Sequence, residues 1–237
     1  MKTIPANPSM SFIVPALNEE ANIQATVNAI LQTVRTWGQT FEILLIDDGS
    51  TDNTGPIMAE LAARHPHIRV LHNERNLGLG GAYKRGVAAA RGTYAMLVPG
   101  DDTWPSESLD QIVATVGQAD IVIPYQANSQ DRPLVRRLGS WGFTTIINIL
   151  FGLHIKYYNG LVVHRTELLR QIAINTDGFA YQAEALIKVL RQGHSYVEVG
   201  TNVTQRQGGR SMALMPKNLF KVVSAIYALY REIGSSQ

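Results

Sequence analysis

Short apolar runs alternate with amphipathic stretches through the first half of the chain. Residues 11–14, which Pro15 follows, form a run typical of a buried strand, and apolar residues then recur at helical spacing from Ile23 to Val34. The same alternation predicts further strands at 41–46, 68–71, 94–98 and 121–123. It also predicts helices that begin at Pro56, cover 82–90, and follow a cap at Ser106. Repeated strand–helix units with short connections predict a mostly parallel sheet that is flanked by helices.

The pattern in the second half is less regular. It predicts helices at 141–153, 167–172, 182–191 and from Pro216 onward, and strands at 161–163 and 196–203. A basic, glycine-rich loop at 205–211 precedes the last helix. No repeat, low-complexity segment or linker divides the sequence. We therefore expect one α/β domain over residues 1–237.

Composition excludes several classes of protein. The net charge of +2 gives no strong basic field, so we expect no nucleic acid partner. The absence of cysteine excludes disulfides, thiolate metal sites and a cysteine nucleophile. No signal-peptide core and no run of ~18 apolar residues is present, which predicts a cytoplasmic protein without a membrane span. Peripheral contact with a membrane surface stays open.

Three polar clusters follow predicted strands. They are Asn18-Glu19-Glu20, Asp47-Asp48 and Asp101-Asp102. Carboxyl ends of parallel strands meet at one edge of a sheet, where open α/β sheets bind ligands, so we expect the clusters to gather there. A divalent cation with a diphosphate would relieve the repulsion among these acids, because hard cations prefer carboxylate and phosphate oxygens. Helix capping is the alternative, which we favour for Asp52 and Ser106 but not for Asp48 and Asp101.

The glycine-rich segment 78–81 invites comparison with a dinucleotide-binding loop. It follows the third predicted strand rather than the first, and it lacks the full glycine pattern of that loop. We interpret it as a glycine turn at the edge of a nucleotide-sugar site. A helix start that lets two backbone segments pass closely is the alternative.

A family resemblance is carried by three segments, VPALNEE at 14–20, LIDDGSTD at 45–52 and NLGLGGAY at 76–83. They resemble family 2 glycosyltransferases, and within that family the dolichyl- and polyprenyl-phosphate sugar transferases. The resemblance implies a GT-A fold, a UDP- or GDP-linked sugar donor, Mg²⁺ or Mn²⁺, and inversion at the anomeric carbon. It also implies a nucleotide-sugar-binding half at about 10–125 and an acceptor-side half at 126–237.

On the donor side, the resemblance implies roles for individual residues. The nucleotide sugar would be held by Pro15, Leu17, Glu19, Ile46, Asp48, Gly100 and Asp101. Asp101 matches the second acid of the family's metal motif, whereas Pro99 stands in place of the first acid. The metal ligands would therefore be Asp101 and Asp102, or Asp101 together with the diphosphate. Leu17 replaces a tyrosine that is common in relatives, so base stacking should be weaker.

On the acceptor side, the segment RQGGRS at 206–211 resembles a late family loop that closes over phosphates. Arg206 and Ser211 would act there, because a guanidinium pairs with phosphate in a bidentate manner. Arg206 would also be catalytic, because with the metal at Asp101 it would stabilise the charge on the leaving diphosphate. Arg137, beside Arg136, lies where a cation for a lipid phosphate is expected. Pro124 and the segment 159–162 replace arginines found in the lipid-phosphate transferases, so fewer fixed cations would meet the acceptor.

Glu184 stands about where other family members place a catalytic acid. It would be the base for a hydroxyl acceptor, whereas a phosphate acceptor is already an anion and needs no strong base. An ordinary acid near a helix N-terminus is the alternative interpretation of Glu184.

The resemblance favours a polyprenyl or dolichyl phosphate acceptor, but other functions stay open. These are transfer to a hydroxyl group, non-catalytic binding of a nucleotide sugar, and nucleotidyl transfer. The segment 143–155 and the last helix, with Lys217, Lys221 and Arg231 nearby, have apolar faces. Such faces pack on the sheet, on a second subunit of a homo-oligomer, or on an anionic membrane surface.

Overall fold

The computed structural model describes residues 9–128, 130, 134–178, 180–202 and 216–234, without the side chains of 135, 136 and 216–220. Within these residues, strands and helices alternate for most of the chain. The strands are β1 (Met10–Ala16), β2 (Phe41–Asp47), β3 (Ile68–His72), β4 (Tyr94–Leu97), β5 (Ile121–Gln126), β6 (Val163–Arg165) and β7 (Tyr196–Thr201). The helices are α1 (Ile23–Trp37), α2 (Thr54–Arg64), α3 (Gly78–Ala89), α4 (Ser106–Val113), α5 (Leu134–Phe151), α6 (Thr166–Arg170), α7 (Tyr181–Arg191) and α8 (Pro216–Gly234).

The strands form one sheet in the order β3-β2-β1-β4-β6-β5-β7. Neighbouring strands are parallel except at β6, which runs antiparallel to both β4 and β5. The predicted α/β class and the mostly parallel sheet are therefore confirmed. The carboxyl ends of β1, β2 and β4 lie side by side at one edge, and this edge positions the candidate site.

Helices cover both faces of the sheet, which explains why its strands are continuous apolar runs. On β1, Phe12 and Val14 pack in the cluster that contains α1, α2 and α4. Ile13 points the other way and packs with α3, α6 and α7. A third cluster joins β5 to α5, α7 and α8. No helix in the described part of the chain combines the length and apolar character that a membrane crossing needs.

Helix starts were the least accurate of the predictions. The turn expected at 76–81 is largely the first turn of α3, which begins at Gly78 rather than Ala82. Glycines contribute no apolar side chain, so the helical spacing of apolar residues becomes detectable only after the first turn of the helix. The predicted cap at Ser106 is also wrong, because Ser106 is the first residue of α4 and Pro105 is its N-cap.

In the second half, the predicted strand at 161–163 is displaced to Val163–Arg165. The N–H of Val162 donates to the carbonyl of Gly160, which makes a tight turn of the residues just before β6. Helix α5 begins at Leu134, seven residues before its predicted start at 141. The predicted loop at 205–211 lies outside the described residues, whereas the last helix begins at Pro216 as predicted.

Candidate active site

Hydrogen bonds fasten the loop after β1 to the loop after β2. Asn18 has a left-handed backbone (φ 55°), and its amide oxygen accepts from the N–H of Thr51 at 2.9 Å. Its own N–H donates to the Ser50 hydroxyl at 3.1 Å. The next N–H, that of Glu19, donates to the Thr54 hydroxyl at 2.8 Å. Two of the three predicted polar clusters thus form one surface at the sheet edge.

The start of α2 belongs to the same surface. The carboxylate of Asp52 accepts from the N–H of Thr54 at 3.0 Å and from that of Glu20 at 3.3 Å. The Glu20 carboxylate accepts in turn from the backbone and side-chain nitrogens of Asn53, both at 2.9 Å. Because the Asp52 contact satisfies an N–H of the first helical turn, it fits the capping interpretation of that residue.

Asp48 is buried and its carboxylate is extensively hydrogen-bonded. One oxygen accepts from the Asn73 amide at 2.6 Å and from the N–H of Leu77 at 2.9 Å. The other accepts from the N–H of Gly78 at 3.0 Å. The charge therefore lies at the positive end of the α3 dipole. Asp48 therefore caps α3, rather than the next helix α2 as the capping alternative supposes, and its nucleoside-binding role stays a prediction.

The other predicted nucleoside residues lie along the same edge but differ in accessibility. Pro15 and Ile46 are register partners on β1 and β2. Both residues are buried, and Ile46 has no exposed surface in this structure. Leu17 lies just beyond β1 and is partly exposed, while the Glu19 carboxylate accepts from the Asn22 amide at 2.7 Å.

The turn after β4 packs closely against the end of β1. The N–H of Gly100 donates to the Pro15 carbonyl at 3.1 Å. A Cβ at position 100 would lie 3.0 Å from the Cβ of Ala16 and 3.2 Å from Cδ1 of Ile23, so a larger residue would push the turn away from β1. The hydroxyl of Thr103 donates to the Asp101 carboxylate at 2.7 Å. Gly100 and Asp101 thus lie beside the surface formed by the first two loops.

Asp102 is exposed and has a left-handed backbone with φ 53°, a conformation that aspartate tolerates better than most residues. Its N–H donates to the Thr26 hydroxyl at 3.0 Å. Across the described ranges, no group of three or more His, Cys, Asp or Glu residues is arranged to hold a metal ion. Asp101 and Asp102 fit a different kind of site, because Mg²⁺ commonly takes one or two carboxylates and completes its shell with water and substrate phosphates.

Glu184 lies near the start of α7 and is only 4% exposed. One carboxylate oxygen accepts from the N–H of Asn175 at 2.8 Å and from Nζ of Lys188 at 2.9 Å. The second oxygen accepts from the N–H of Thr176 at 2.9 Å. Burial raises the pKa of Glu184, but these hydrogen bonds and the lysine charge outweigh burial and lower the pKa overall. A carboxylate with a lowered pKa and both oxygens engaged is a weak proton acceptor, so its surroundings favour a positioning role.

Lys188 joins α7 to α8 and to the segment before residue 175. Its ammonium group contacts Glu232 of α8 at 2.8 Å and donates to the carbonyl of Ala173 at 2.8 Å, in addition to Glu184. Burial lowers the pKa of Lys188, but the carboxylates of Glu232 and Glu184 outweigh burial and raise it overall. The sequence analysis did not identify this network, although Glu184 and Lys188 have the i, i+4 spacing of a helical ion pair.

The segment held by Glu184 packs directly on the N-terminal turn of α3. The N–H of Gly80 donates to the Asp177 carbonyl at 2.9 Å. A Cβ at Gly80 would lie 2.5 Å from the Thr176 carbonyl oxygen, and one at Gly78 would lie 2.9 Å from that of Asp177. The glycines of 78–81 therefore allow a close backbone approach, which was the second interpretation of that segment.

A cavity of about 670 Å³ lies between the α3 N-terminus and α8. Its walls include Asn76, Gly78, Asp177, Glu184 and Lys221. Glu184 is thus connected to the Asp48 region through α3. Of the predicted acceptor residues, Arg137 is exposed on α5 and is not among the residues that line this cavity. Arg206 and Ser211 lie outside the described residues.

Acid should destabilise the fold through Glu184, Asp47 and Asp120. Burial raises the pKa of each, but hydrogen bonds outweigh it, so each pKa is lower in the folded protein than the ordinary 4.5 for Glu or 3.8 for Asp. Their stabilisation is complete above those ordinary values and is lost as pH falls through the folded values. Burial also lowers the pKa of His164 from 6.5 to about 3, so this imidazole destabilises the fold progressively as pH falls below 6.5. We therefore expect Tm to decline gradually from about pH 6.5 and more steeply below about 4.5.

Thermal unfolding between pH 3 and 7 measures this decline. Glu184→Gln should flatten it, whereas Glu107→Gln, which changes an exposed acid of α4, should leave it as in the unmodified protein. Equal declines in all three proteins would contradict the assignment to Glu184.

Comparison with known proteins agrees with this arrangement. The family model described as glycosyl transferase family 2 matches residues 11–179. An undecaprenyl-phosphate mannosyltransferase of Micrococcus luteus is 30% identical over 211 residues, which cover 84% of this chain and 85% of that protein. A polyprenol monophosphomannose synthase of Mycolicibacterium smegmatis is 29% identical over 84% of this chain and 78% of the relative.

A solved structure shares the fold. Glucosyl-3-phosphoglycerate synthase from Mycobacterium tuberculosis, in complex with Mn²⁺, UDP and phosphoglyceric acid, superposes with a TM-score of 0.72 at 20% identity. The match covers 95% of this chain and 79% of the synthase, which confirms the predicted GT-A fold. Since the family model spans most of the sequence, the chain is a glycosyltransferase and belongs to glycosyl transferase family 2.

Proposed function

We propose that this enzyme transfers a sugar from a nucleotide-sugar donor to the phosphate of a polyprenyl or dolichyl lipid, with inversion at the anomeric carbon. The observation that carries the acceptor is the similarity to the undecaprenyl-phosphate mannosyltransferase, which extends over most of both chains. Such an acceptor would bring the enzyme to a membrane surface. The cytoplasmic location stays a prediction.

The donor is proposed to bind at the joined ends of β1, β2 and β4. Leu17 and Glu19 would contact the nucleoside from the loop after β1, with Pro15, Ile46 and Asp48 at the ends of β1 and β2 beside them. The rigid pairing of the first two loops supports this assignment, because a prearranged site loses less entropy when it binds. UDP is the first candidate nucleotide, since the Mycobacterium tuberculosis synthase contains UDP. A GDP-linked donor is the second candidate.

Gly100 is proposed to admit the diphosphate next to Asp101 and Asp102. These two carboxylates would hold Mg²⁺ or Mn²⁺, whose charge stabilises the leaving diphosphate when the ion is bound. The Mn²⁺ in the Mycobacterium tuberculosis synthase supports the choice of ion. Pro99 removes one family carboxylate from this chain, so Asp101 carries more of the binding than the corresponding residue in a relative with both acids.

In the proposed reaction, an oxygen of the lipid phosphate forms a bond to the anomeric carbon. The bond between that carbon and the donor diphosphate breaks, and the nucleoside diphosphate leaves with the electron pair. The phosphate acceptor is already an anion at neutral pH and offers an unprotonated oxygen, so the step needs no strong base. Arg137, Arg206 and Ser211 would orient the acceptor phosphate by charge and hydrogen bonding.

Glu184→Gln distinguishes a positioning residue from a general base. A base role predicts loss of turnover by about 100-fold or more. A positioning role predicts a lower Tm, because the new amide places an NH₂ group against N–H donors of Asn175 and Thr176. We expect the second result, with turnover near normal at temperatures where the variant is folded.

The pH dependence of kcat separates the two explanations further. If Glu184 only positions the 175–177 segment, the profile of the folded variant should keep the shape seen with the unmodified enzyme. Loss of an acidic limb in the variant would show that the carboxylate takes up a proton during turnover, and would favour a hydroxyl acceptor.

Thermal stability in the presence of nucleotides tests the donor proposal. A ligand at 100 times its dissociation constant stabilises the folded state by about 2.7 kcal/mol, which raises Tm by several degrees at most for a chain of this size. UDP, GDP and their sugar conjugates should be compared with and without Mn²⁺. We expect a metal-dependent shift with one nucleotide, and no shift with any of them would contradict the proposed donor site.

A further inference from the structure

The outward face of α5 is apolar, whereas the solvent-facing side of a surface helix is usually polar. Phe143, Ile147 and Phe151 point inward and pack in the core. The exposed apolar side chains on the other side include Leu134, Leu138, Trp141, Ile146 and Ile149. Trp141 is 69% exposed and Ile149 is 76% exposed, so most of each residue is in contact with solvent.

Helix α8 extends this apolar face. Val223, Tyr227 and Tyr230 are exposed on α8, while Ile226 and Leu229 are buried beside α5 and α7. The Tyr230 ring meets the Phe151 ring edge-on, with centroids 6.1 Å apart, and so joins the two helices. We call the eight exposed residues the α5–α8 surface: Leu134, Leu138, Trp141, Ile146, Ile149, Val223, Tyr227 and Tyr230.

The charges around the α5–α8 surface are positive. Helix α5 contains no acid, and its charged residues are Arg136 and Arg137 near the N-terminus. Lys221 and Arg231 are exposed on α8. In the described part of α8 the acid is Glu232, which is paired with Lys188. This charge complements an anionic partner, whereas a second copy of the same surface would bring uncompensated cations together.

The composition of the surface also suits a bilayer. Tryptophan and tyrosine combine an apolar ring with a polar N–H or O–H group, and they are enriched at the boundary between lipid tails and water. Apolar residues combined with Lys and Arg are the pattern of helices that lie in that boundary and attract anionic lipids. A protein partner would need acidic side chains placed opposite these cations and a shape that fits the two helices. An anionic membrane presents negative head groups over its whole surface and needs no matching shape.

Helix α8 separates the α5–α8 surface from the cavity of the candidate active site. Lys221, Val222 and Ala225 line the cavity that also contains Glu184. Val223 and Tyr227 alternate with these positions in the sequence but project from the other side of α8, where they belong to the exposed surface. A membrane on this surface would therefore be separated from the cavity by the width of α8.

We propose that the α5–α8 surface binds an anionic lipid bilayer peripherally, with the side chains of Trp141 and Ile149 in the acyl boundary. The inference rests on the proposed function, because it places the enzyme where a polyprenyl phosphate presents its head group. It adds the surface that makes the contact and the lipid charge that the contact requires.

Flotation with vesicles of phosphatidylcholine and phosphatidylglycerol tests the proposal. The full chain should float with the mixed vesicles and at least about 10-fold less with phosphatidylcholine alone, since roughly 1 kcal/mol is gained for each cation near an anionic surface. Trp141→Gln and Ile149→Gln should each weaken binding by about 10-fold. Tyr196→Gln, at an exposed aromatic residue of β7 outside the surface, is the matched control and should float normally.

Fluorescence locates the contact. Lipids brominated in the acyl chain should quench tryptophan emission in the unmodified protein and much less in Trp141→Phe. Failure of the unmodified protein to float, or equal flotation of all variants, would overturn the proposal. A dimer that dissociates on Ile149→Gln, without any lipid binding, would overturn it in favour of a second copy.

Activity assays separate failure of this inference from failure of the proposed function. Ile149→Gln should lose activity on a long-chain acceptor embedded in vesicles and keep activity on a short, water-soluble prenyl phosphate. An unmodified enzyme that glycosylates the soluble acceptor but does not float refutes the membrane surface alone. An enzyme that floats but glycosylates neither acceptor refutes the proposed function on which the inference rests.

Discussion

Asp101→Asn should lower the turnover number by about 100-fold to 1,000-fold, the range expected when a group that stabilises developing charge is removed. The asparagine keeps the size of the side chain and can still accept the hydrogen bond that Thr103 donates to Asp101. It removes the negative charge proposed to hold the cation against the leaving diphosphate. Steady-state turnover of the donor at saturating Mn²⁺, with Tm as a check on folding, measures the effect.

Asp102→Asn is the matched comparison, because the two residues are adjacent and differ in exposure. If Asp102 substitutes for the family carboxylate that Pro99 replaces, its variant should also lose turnover and need more Mn²⁺. If Asp101 and the diphosphate suffice, Asp102→Asn should remain close to the unmodified enzyme. Unchanged turnover and Mn²⁺ dependence in Asp101→Asn would contradict the metal assignment.

Lys188→Met should lower the free energy of unfolding by about 3 kcal/mol, because removal of one partner of a buried ion pair leaves the other charge uncompensated. Lys188 and Glu184 are 9% and 5% exposed at their side chains, so water replaces little of the lost interaction. The substitution also frees Glu232 of α8 from its ion pair. Equilibrium unfolding in urea, followed by circular dichroism, measures the loss.

Lys84→Met provides the control for this experiment. Lys84 pairs with Asp177 at 2.6 Å, but the two side chains are 36% and 66% exposed. Exposed pairs contribute about 0–1 kcal/mol, so this variant should unfold close to the unmodified protein. The double variant Lys188→Met/Glu184→Gln should lose less free energy of unfolding than the sum of the two single variants. Lys188→Met leaves the Glu184 charge buried without its partner, and Glu184→Gln then removes that charge. Simple additivity would contradict the ion-pair network.

The parallel half of the sheet was predictable because its strands are continuous apolar runs followed by polar turns. Phe12, Ile13 and Val14 illustrate this, since helices cover both faces of β1 and every position must be apolar. Strand β6 was misplaced because it is short, and the apolar run at 161–163 includes residues of the preceding turn. Hydrophobicity alone does not distinguish such a turn from a strand.

The site was predictable as an edge of the sheet, but the contacts of its carboxylates were not. Asp48 and Glu184 were identified by position in family motifs, and both accept hydrogen bonds from backbone N–H groups outside their own strand or helix. Such donors carry no signature in the sequence, because every residue except proline has one. The burial of Lys188 could not be predicted for a related reason, because it depends on how α8 packs against α7.

Transfer of a labelled sugar to undecaprenyl phosphate tests the central claim most directly. The enzyme would be incubated with UDP- and GDP-sugars, with and without Mn²⁺, and the lipid product would be isolated and its anomeric configuration determined by NMR. We predict a metal-dependent glycosyl phosphate lipid whose configuration is inverted relative to the donor, and its absence from Asp101→Asn reactions. Metal-dependent transfer only to hydroxyl acceptors, or binding of the donor without transfer to any acceptor, would contradict the account.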